Sequence, residues 1–353
     1  MGILSHSHVG ARSHRLLLLT VLAAVLYLAA GLGLADVAGF GDVWRAAQHP
    51  QWQWLAASLG GVALAFVGYY FGYCGVGSVE DGPDDLSHAE RLGVVAAGFG
   101  GFFAHGGTGI DRAVMRAAGG SAREAKVRVT LLGGLEHGIL AIPCSAAAIV
   151  LLVEGVRKPP LDFTIPWAVG PWVGFGVAYW AAERYRARLR RRGGWRQKLS
   201  ITFDATHLVG AMFRRPVRHA AAISGMLLYW LGDMWGLWMA IAAFGLRMNA
   251  ATTMVAFGTA MIVTRRTGPL GGAGILCAAL AATLWYCGAP WTAAVLGTFS
   301  YRFFAVWLPQ PLSFLMLPRL RRLLEESSDA DAPTAAEREA RASTKEAALQ
   351  RSS

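Results

Sequence analysis

Apolar residues occur along this chain in long uninterrupted blocks, not in alternation with polar ones. At roughly 1.5 Å per helical residue, six of these blocks are long enough to cross a hydrocarbon layer of roughly 30 Å. They cover residues 16–34, 52–74, 129–153, 165–182, 217–246 and 291–308. One such block could be a buried helix of a large soluble enzyme, but six are too many for that explanation. The pattern predicts an all-α polytopic membrane protein with about six full spans.

Two further segments are apolar but too short to span, and each is interrupted by glycines. One lies within 91–126 and the other within 250–287. Irregular backbone at membrane depth persists only where it is buried in protein or lines a wet cavity, because lipid offers no hydrogen-bond partners. An alternative for the second segment is two thin spans joined by an ordinary loop at Arg265 and Arg266. We predict two broken, re-entrant helix pairs, with helix-break glycines at Gly107, Gly109, Gly271, Gly272 and Gly274.

The two broken segments carry the same features in the same order. Short helices are expected to begin at Gly109 and Gly274 and to end at Gly119-Gly120 and at Gly288. Polar residues follow inside the next long block at His137 and Arg302. The intervals Gly109 to His137 and Gly274 to Arg302 are both 28 residues long. With six full spans, the first broken segment enters the membrane from the cytoplasm and the second from outside. This order predicts an inverted repeat, typical of transporters, with halves at about 52–153 and 217–309.

Composition and charge placement agree with a membrane location. Apolar residues make up 54% of the chain and charged residues only 16%, against about 25% charged in soluble domains. The net charge is +11, and basic residues are densest at 184–198. By the positive-inside rule this segment is predicted to be a cytoplasmic loop, with both termini cytoplasmic and 154–164 outside. We therefore expect a multi-pass protein of the cell membrane, with a polar and partly disordered cytoplasmic tail at 318–353.

Neither cofactors nor nucleic acid are expected as partners. The sequence shows no folded soluble module that would bind nucleic acid, so membrane lipids are the predicted partners. The cysteines Cys74, Cys144, Cys277 and Cys287 stand in apolar surroundings without CxxC or metal-ligand spacing. We interpret them as small core residues and predict no metal site. No phosphate-binding nucleotide loop is present, so ATP-driven transport by this chain alone is not expected.

Charged residues inside the apolar segments are the candidates for specific chemistry. A charge at the bilayer centre costs at least about 2.5–3.5 kcal/mol and therefore needs a partner or a wet cavity. The guanidinium fork suits phosphate, and the first turns of the broken helices add partial positive charge. Alternatively, Glu136 pairs with Arg112 or Arg302 and only locks helices together, and His137 is a packed histidine. The candidate substrate-binding residues are Arg112, Arg116, Glu136, His137, Asp233, Arg265, Arg266 and Arg302.

A family resemblance rests on the second broken segment. Residues 268–309 contain a Pro-Leu-Gly-Gly turn, a short helix, a Gly-Ala-Pro turn, an alanine pair, Tyr301-Arg302 and a final Leu-Pro. This order resembles the closing motif of the lysylphosphatidylglycerol synthase transmembrane region, a flippase-like module, and 107–137 is similar to its first-half motif. The resemblance covers about 16–317 and implies a flippase-like domain over residues 1–317.

Two departures from the family pattern bear on the function. The family has a glutamate where this chain has Cys277, and its Glu-Arg pair is Glu136-His137 here. No aminoacyl-transferase domain is expected beside the membrane part. The resemblance implies translocation or binding of an anionic lipid or lipid-linked headgroup, with no catalytic residues. The alternatives are a membrane-embedded transferase that uses Glu136 or Asp233 as base, and a non-transporting accessory subunit.

Overall fold

The chain folds as a bundle of helices. The computed structural model describes residues 5–79, 86–99, 108–156, 159–190, 195–264, 274–316 and 318, and these contain no strand. Gly107, Arg265, Arg266, Gly271, Gly272 and the predicted tail beyond 318 lie outside the described residues. The helices are α1 Ser5–Val37, α2 Phe40–Ala47, α3 Trp52–Gly77, α4 His88–Phe99, α5 Thr108–Ala117, α6 Ala122–Val153, α7 Leu161–Arg190, α8 Trp195–Arg214, α9 Ala220–Ala242, α10 Ala250–Thr264, α11 Ile275–Tyr286 and α12 Trp291–Arg302, with a π-helix at Phe303–Trp307.

Among the described residues, three helices are long and apolar enough to cross a membrane by length and composition. They are the Thr20–Val37 part of α1, the whole of α3 and the whole of α6. The other three predicted spans coincide with α7, α9 and the pair formed by α12 and the π-helix. Helix α7 contains two prolines, α9 contains Asp233, and α12 passes into the π-helix after 12 residues. The all-helical class is confirmed, and the number of six full spans stays a prediction.

Helices α3 and α9 pack against each other, antiparallel, along a seam of small residues. The seam is formed by Ser58, Gly61, Ala65, Gly68, Gly72 and Gly75 of α3 with Ala222, Gly225, Gly232 and Gly236 of α9. A Cβ atom added at Gly68 would lie 2.4 Å from the backbone nitrogen of Tyr229, and one at Gly61 would lie 2.7 Å from that of Gly236. Spacings of three and four residues place the small residues on one face of each helix, so the two backbones touch.

The C-terminal end of α3 is fixed by a buried arginine from α6. Arg128 is 4% exposed and donates hydrogen bonds of 3.0–3.1 Å to the carbonyls of Val76, Gly77 and Val79. Its guanidinium also contacts Glu124, one turn earlier in α6. The last carbonyls of a helix have no partner within it, so Arg128 satisfies groups that would otherwise be buried without hydrogen bonds. Arg128 is therefore a helix cap for α3.

Several helix ends meet at this same end of the bundle, which we call the basic end. Arg123 in the first turn of α6 donates to Asp204 at 2.7 Å and to Ser200 at 2.9 Å, both in α8. Helix α9 begins here, because Ala222 lies against Gly75. Helix α7 runs antiparallel to α6, since Phe175 faces Gly138 and the Ser145 hydroxyl donates to the Trp167 carbonyl, so α7 ends here as well.

The predicted basic loop at 184–198 is mostly helical. Residues up to Arg190 belong to α7 and those from Trp195 belong to α8, which leaves only 191–194 outside the described residues. The loop prediction was wrong because arginine is a good helix former and the run continues α7 without a helix breaker before the Gly-Gly pair. Helix α8 itself was not predicted, because its mean hydropathy is low.

The short helices end where the sequence predicts. Helix α5 stops before Gly119 at φ 90°, and α11 stops before Gly288 at φ 101°, a backbone conformation that glycine adopts without strain. In both turns, the backbone N–H of the residue after the glycine donates to the carbonyl five residues earlier. Gly120 donates to the Met115 carbonyl, and Ala289 donates to the Leu284 carbonyl. This is the Schellman pattern, and it turns the chain sharply into the long helix that follows.

Candidate functional site: two buried polar clusters

Polar residues of α9, α11 and α12 form a buried cluster inside the bundle. We call it the second polar cluster, because it lies in the second half of the chain. Asp233 is 4% exposed and Tyr301 is fully buried, and Asp233 lies beside both Tyr301 and Arg302. The Arg302 guanidinium carbon is 5.9 Å from the centre of the Tyr301 ring, and Cys277 of α11 is also next to Arg302. The candidates Asp233 and Arg302 are thus brought together, although 69 residues separate them in sequence.

The backbone changes geometry immediately after Arg302. Residues Phe303–Trp307 form a π-helix, a conformation that is rare and frequent at functional sites. A row of buried polar atoms runs through this stretch over roughly three helical turns. The row consists of side-chain atoms of Thr298, Tyr301, Arg302, Trp307 and Gln310. A membrane-embedded helix carries such a row only where polar groups face protein or a ligand, because lipid would leave them unsolvated.

Helix α1 closes the second cluster. The Tyr27 hydroxyl donates to the Phe299 carbonyl at 2.6 Å, and its ring lies 4.9 Å from Phe299 and 5.5 Å from Trp307 between ring centres. The first residue before α11, Gly274, approaches the Leu26 carbonyl, at 3.2 Å from the position its Cβ would take. Four helices therefore converge around Arg302.

The first polar cluster joins α5 and α6. Asp111 lies within electrostatic range of both Arg112 and Glu136, and it is also near Tyr73 of α3. Glu136 is 5% exposed, and the fully buried Tyr73 hydroxyl finds no hydrogen-bond partner among the described residues. Arg112 is exposed and Arg116 partly so, on the same short helix. This cluster therefore brings together two carboxylates, Asp111 and Glu136, with Arg112 at its exposed side.

His137 packs against its own helix. Its Nδ1 atom is 2.6 Å from the carbonyl oxygen of Gly133, one turn earlier in α6. This contact fits the packed-histidine interpretation, since one ring nitrogen is occupied by the backbone. Glu136 and His137 thus differ in role: Glu136 faces the cluster, and His137 is held by the helix that carries it.

An aromatic layer separates the two clusters. The Trp230 indole is fully buried and donates to the Glu136 carbonyl at 2.7 Å, and its ring is 4.6 Å from Tyr229 and 5.9 Å from Phe257. Phe257 in turn lies 6.5 Å from Tyr301. Along α9, Met226 lies against Gly72, the residue before Tyr73, and Gly236 lies against Tyr301, so Trp230 is between the two clusters. The candidates form two sites on either side of this layer, not one.

No family model, no curated protein and no solved structure matches the chain. The likeness to the lysylphosphatidylglycerol synthase transmembrane region thus rests on the motif residues alone. Within the described residues, no group of three or more histidine, cysteine or acidic side chains could hold a metal ion.

Proposed function

We propose that this protein binds an anionic lipid or lipid-linked headgroup inside the membrane and moves it between the leaflets. The supporting observation is the placement of Arg302. Its guanidinium stands beside Asp233 and over the Tyr301 ring, where α12 passes into a π-helix lined with buried polar atoms. Arginine's planar fork matches a phosphate in two parallel hydrogen bonds, so a phosphate-bearing headgroup is the ligand class that suits this position.

The arrangement of helices supports an inverted repeat. Residues 52–153 hold a long helix, two short helices and a long helix, and residues 217–309 hold the same order with a shorter final helix. The leading helices α3 and α9 are antiparallel, as a two-fold axis in the membrane plane requires. The second short helix of each half ends in the same glycine turn. In this proposal the two polar clusters are equivalent headgroup-binding sites, one in each half of the repeat.

Charge placement supports a cytoplasmic basic end. The described part of this end carries many cations and few acids, which is the bias that sets membrane orientation. The cations are Arg123, Lys126, Arg128, Arg184, Arg186, Arg188, Arg196, Lys198, Arg214, Arg215 and Arg218. In this orientation the first cluster lies toward the cytoplasm and the second toward the outside.

A non-transporting accessory subunit is the second candidate. Arg128 and Arg123 favour it, because both are arginines whose contacts are structural: a helix cap and a link between α6 and α8. In that case Arg302 and Asp233 are an internal pair, and removing one partner destabilises the bundle without affecting any ligand.

The two candidates are distinguished by lipid retention. Purified protein is released from native membranes, its bound lipid is identified by mass spectrometry, and wild type is compared with Arg302→Gln. Loss of one charge-assisted hydrogen-bonded contact should lower retention roughly ten- to a hundredfold, since such a bond contributes about 1.5–3 kcal/mol. Arg302→Lys should restore part of it, because a point charge replaces the fork.

The matched control is Arg45→Gln. Arg45 is an exposed arginine of α2 that pairs with Asp42 outside both clusters, so its loss should leave retention unchanged. Thermal unfolding of each variant shows whether it is folded. Equal phospholipid content in folded wild type and folded Arg302→Gln would contradict the headgroup proposal, and a strong loss of stability with unchanged lipid content would favour the accessory subunit.

A further inference from the structure

The inner side of the first polar cluster carries two carboxyl groups on neighbouring helices. Asp111 lies on the inner face of α5, since Val114, Met115 and Ala118, which follow it at helical spacing, are buried. Glu136 is 5% exposed and stands near the middle of α6, within electrostatic range of Asp111. Two acidic side chains therefore approach each other inside the bundle.

The cations near this pair do not balance two negative charges. Arg112 is within electrostatic range of Asp111, but it is exposed, and Arg116 lies one turn further along α5 toward the basic end. Arg91 of α4 lies within range of Tyr73. The first turn of α5 adds a partial positive charge, which offsets only a fraction of one carboxylate.

The remaining helices around the pair add no compensating charge. Helices α3 and α10 contain no charged residue, and the single charged residue of α9, Asp233, lies beyond the aromatic layer. On α6, His137 is held by the backbone of its own helix, and Arg128 caps α3. Between α7 and α8, Glu183 and His207 contact each other. A second buried negative charge would therefore be costly.

A buried hydroxyl lies beside the same carboxyl pair. Tyr73 of α3 is 2% exposed and lies within electrostatic range of Asp111, and its hydroxyl finds no hydrogen-bond partner among the described residues. A buried polar group without a partner is costly and marks a place where a ligand completes the hydrogen bonding. A phenol can donate to a carboxylate and accept from a carboxylic acid, so Tyr73 suits both protonation states of the pair.

We propose that Asp111 and Glu136 form a proton-binding site, and that its protonation allows the first cluster to accept a headgroup phosphate. Neighbouring carboxylates with so little compensating charge retain one proton between them, because like charges at close range cannot both be ionised at low cost. The link to the headgroup rests on the proposed function, whereas the proton site itself does not.

The link between proton and headgroup follows from charge. With both carboxylates ionised, the pair repels a phosphate that approaches Arg112 and Arg116 from the basic end. One bound proton removes one of the two negative charges, so proton and headgroup are taken up together, and each raises the affinity for the other. Asp111 is half-buried and Glu136 is buried behind it, with the aromatic layer on the far side. The proton therefore comes from solvent at the basic end.

The bound proton is measured by infrared difference spectroscopy. The full-length protein is titrated from weakly acidic to alkaline pH, and the carbonyl stretch of protonated carboxyl groups is followed. Wild type should show a band that disappears as the pH rises. Asp111→Asn and Glu136→Gln should each lack it near neutral pH, since each leaves a single carboxyl that can ionise. The control Glu154→Gln, the same change at an exposed position at the end of α6, should keep the band.

The link to the headgroup is measured by binding of phosphatidylglycerol to delipidated protein in detergent. As the pH rises, wild type should release part of its bound lipid. Arg302→Gln, in which the second cluster is weakened, should lose affinity by up to about tenfold per pH unit, the limit when one proton accompanies each headgroup. Glu136→Gln mimics the protonated acid, so its lipid binding should not change with pH. Thermal unfolding shows which variants are folded.

Two results would overturn the proposal. A carboxyl band that is absent from wild type, or that persists in both Asp111→Asn and Glu136→Gln, means that the pair holds no proton. Lipid binding that is independent of pH in both wild type and Arg302→Gln means that the proton does not act on the headgroup. Equal lipid binding by wild type and Arg302→Gln at every pH, with a normal carboxyl band, would contradict the proposed function at the second cluster and leave the proton site standing.

Discussion

Helix α9 packs against α3 at the seam on one face and carries Asp233 of the second polar cluster on another. The two faces are held in opposite ways. On the seam face, Gly225, Gly232 and Gly236 let the α3 backbone approach until no Cβ atom fits. On the cluster face, Asp233 is buried beside Tyr301 and Arg302. The seam depends on the absence of side chains, and the cluster depends on the presence of charged ones.

The difference indicates which part of the bundle can change during function. The seam contacts are backbone to backbone over most of the length of α3 and α9, so these helices form a rigid central pair. The cluster contacts are between side chains on separate helices, which can exchange one partner for another. If the proposed function holds, a headgroup replaces contacts around Arg302 while the central pair stays fixed.

The largest effect is expected from Gly68→Ala. The three atoms nearest to the added Cβ are backbone atoms of α9, at 2.4, 2.6 and 2.9 Å, so no side chain can rotate away. The helices must move apart, and we expect a loss of about 3 kcal/mol in unfolding free energy, the upper part of the usual range for overpacking. Thermal or denaturant unfolding of the purified protein measures it.

Gly60→Ala is the matched control, since it places the same methyl group in the same helix. A Cβ atom at Gly60 meets nothing within 4 Å, and alanine is better than glycine in a helix by about 0.5–1 kcal/mol. The control should be neutral or slightly stabilising. If Gly60→Ala and Gly68→Ala had equal effects, the close approach of α3 and α9 would be wrong.

The next largest loss of stability is expected at the C-terminal end of α3, where the seam ends. Arg128→Gln removes the hydrogen bonds to the carbonyls of Val76, Gly77 and Val79, and we expect a loss of about 1.5–3 kcal/mol, the contribution of a charged hydrogen bond. Faster amide exchange in the last turn of α3 should accompany it. Lys126→Gln removes an exposed cation two residues away and should change neither measurement. Unaltered exchange in Arg128→Gln would show that the cap is dispensable.

The sequence predicts the helices better than it predicts their partners. The apolar blocks give α1, α3 and α6, and the glycines at 119 and 288 end α5 and α11 where expected. The spacing of Gly61, Gly68 and Gly75 is visible in the sequence, but nothing in it names α9 as the helix that fits them. Helix α8 was missed because its charged and polar residues lower its mean hydropathy below that of a span.

The sequence names the candidate residues but not their grouping. Asp233 and Arg302 are candidates because charges in apolar segments need partners, and the structure places them together. In the alternative interpretation, Glu136 pairs with Arg112 or Arg302. The structure places it in the first cluster with Asp111, beyond the Trp230 layer. Helical periodicity gives the face on which a residue lies. The position of the aromatic layer around Trp230 depends instead on how α6, α9 and α10 pack together. The role of Arg128 as a cap could not be predicted either, because it depends on where α3 ends.

A smaller effect is expected where a serine of α3 makes a polar contact across the seam. The buried Ser58 hydroxyl donates to the Gly236 carbonyl at 2.7 Å, so Ser58→Ala should cost about 1 kcal/mol of unfolding free energy. Ser224 makes a similar bond to the Ala220 carbonyl within its own helix at an exposed position. Ser224→Ala should therefore be close to neutral. Matching losses in the two variants would mean that the hydroxyl contributes only locally.

The smallest effect is a pH dependence at the basic end, outside both the seam and the cluster. The Tyr179 hydroxyl donates to Glu183 at 2.8 Å, and His207 Nδ1 is 2.6 Å from the same carboxylate oxygen. These hydrogen bonds, that of Tyr179 first, hold the pKa of the Glu183 carboxyl below its usual value. A carboxyl with a lowered folded-state pKa stabilises the fold at every pH above its unfolded-state pKa. That contribution is lost as the pH falls through the folded-state value, so the contact between α7 and α8 should weaken on the acid side of the ordinary glutamate range. The melting temperatures of wild type and Glu183→Gln should differ at neutral pH and converge under acid. A difference that stayed constant across that range would mean that the carboxylate form is not what joins the two helices.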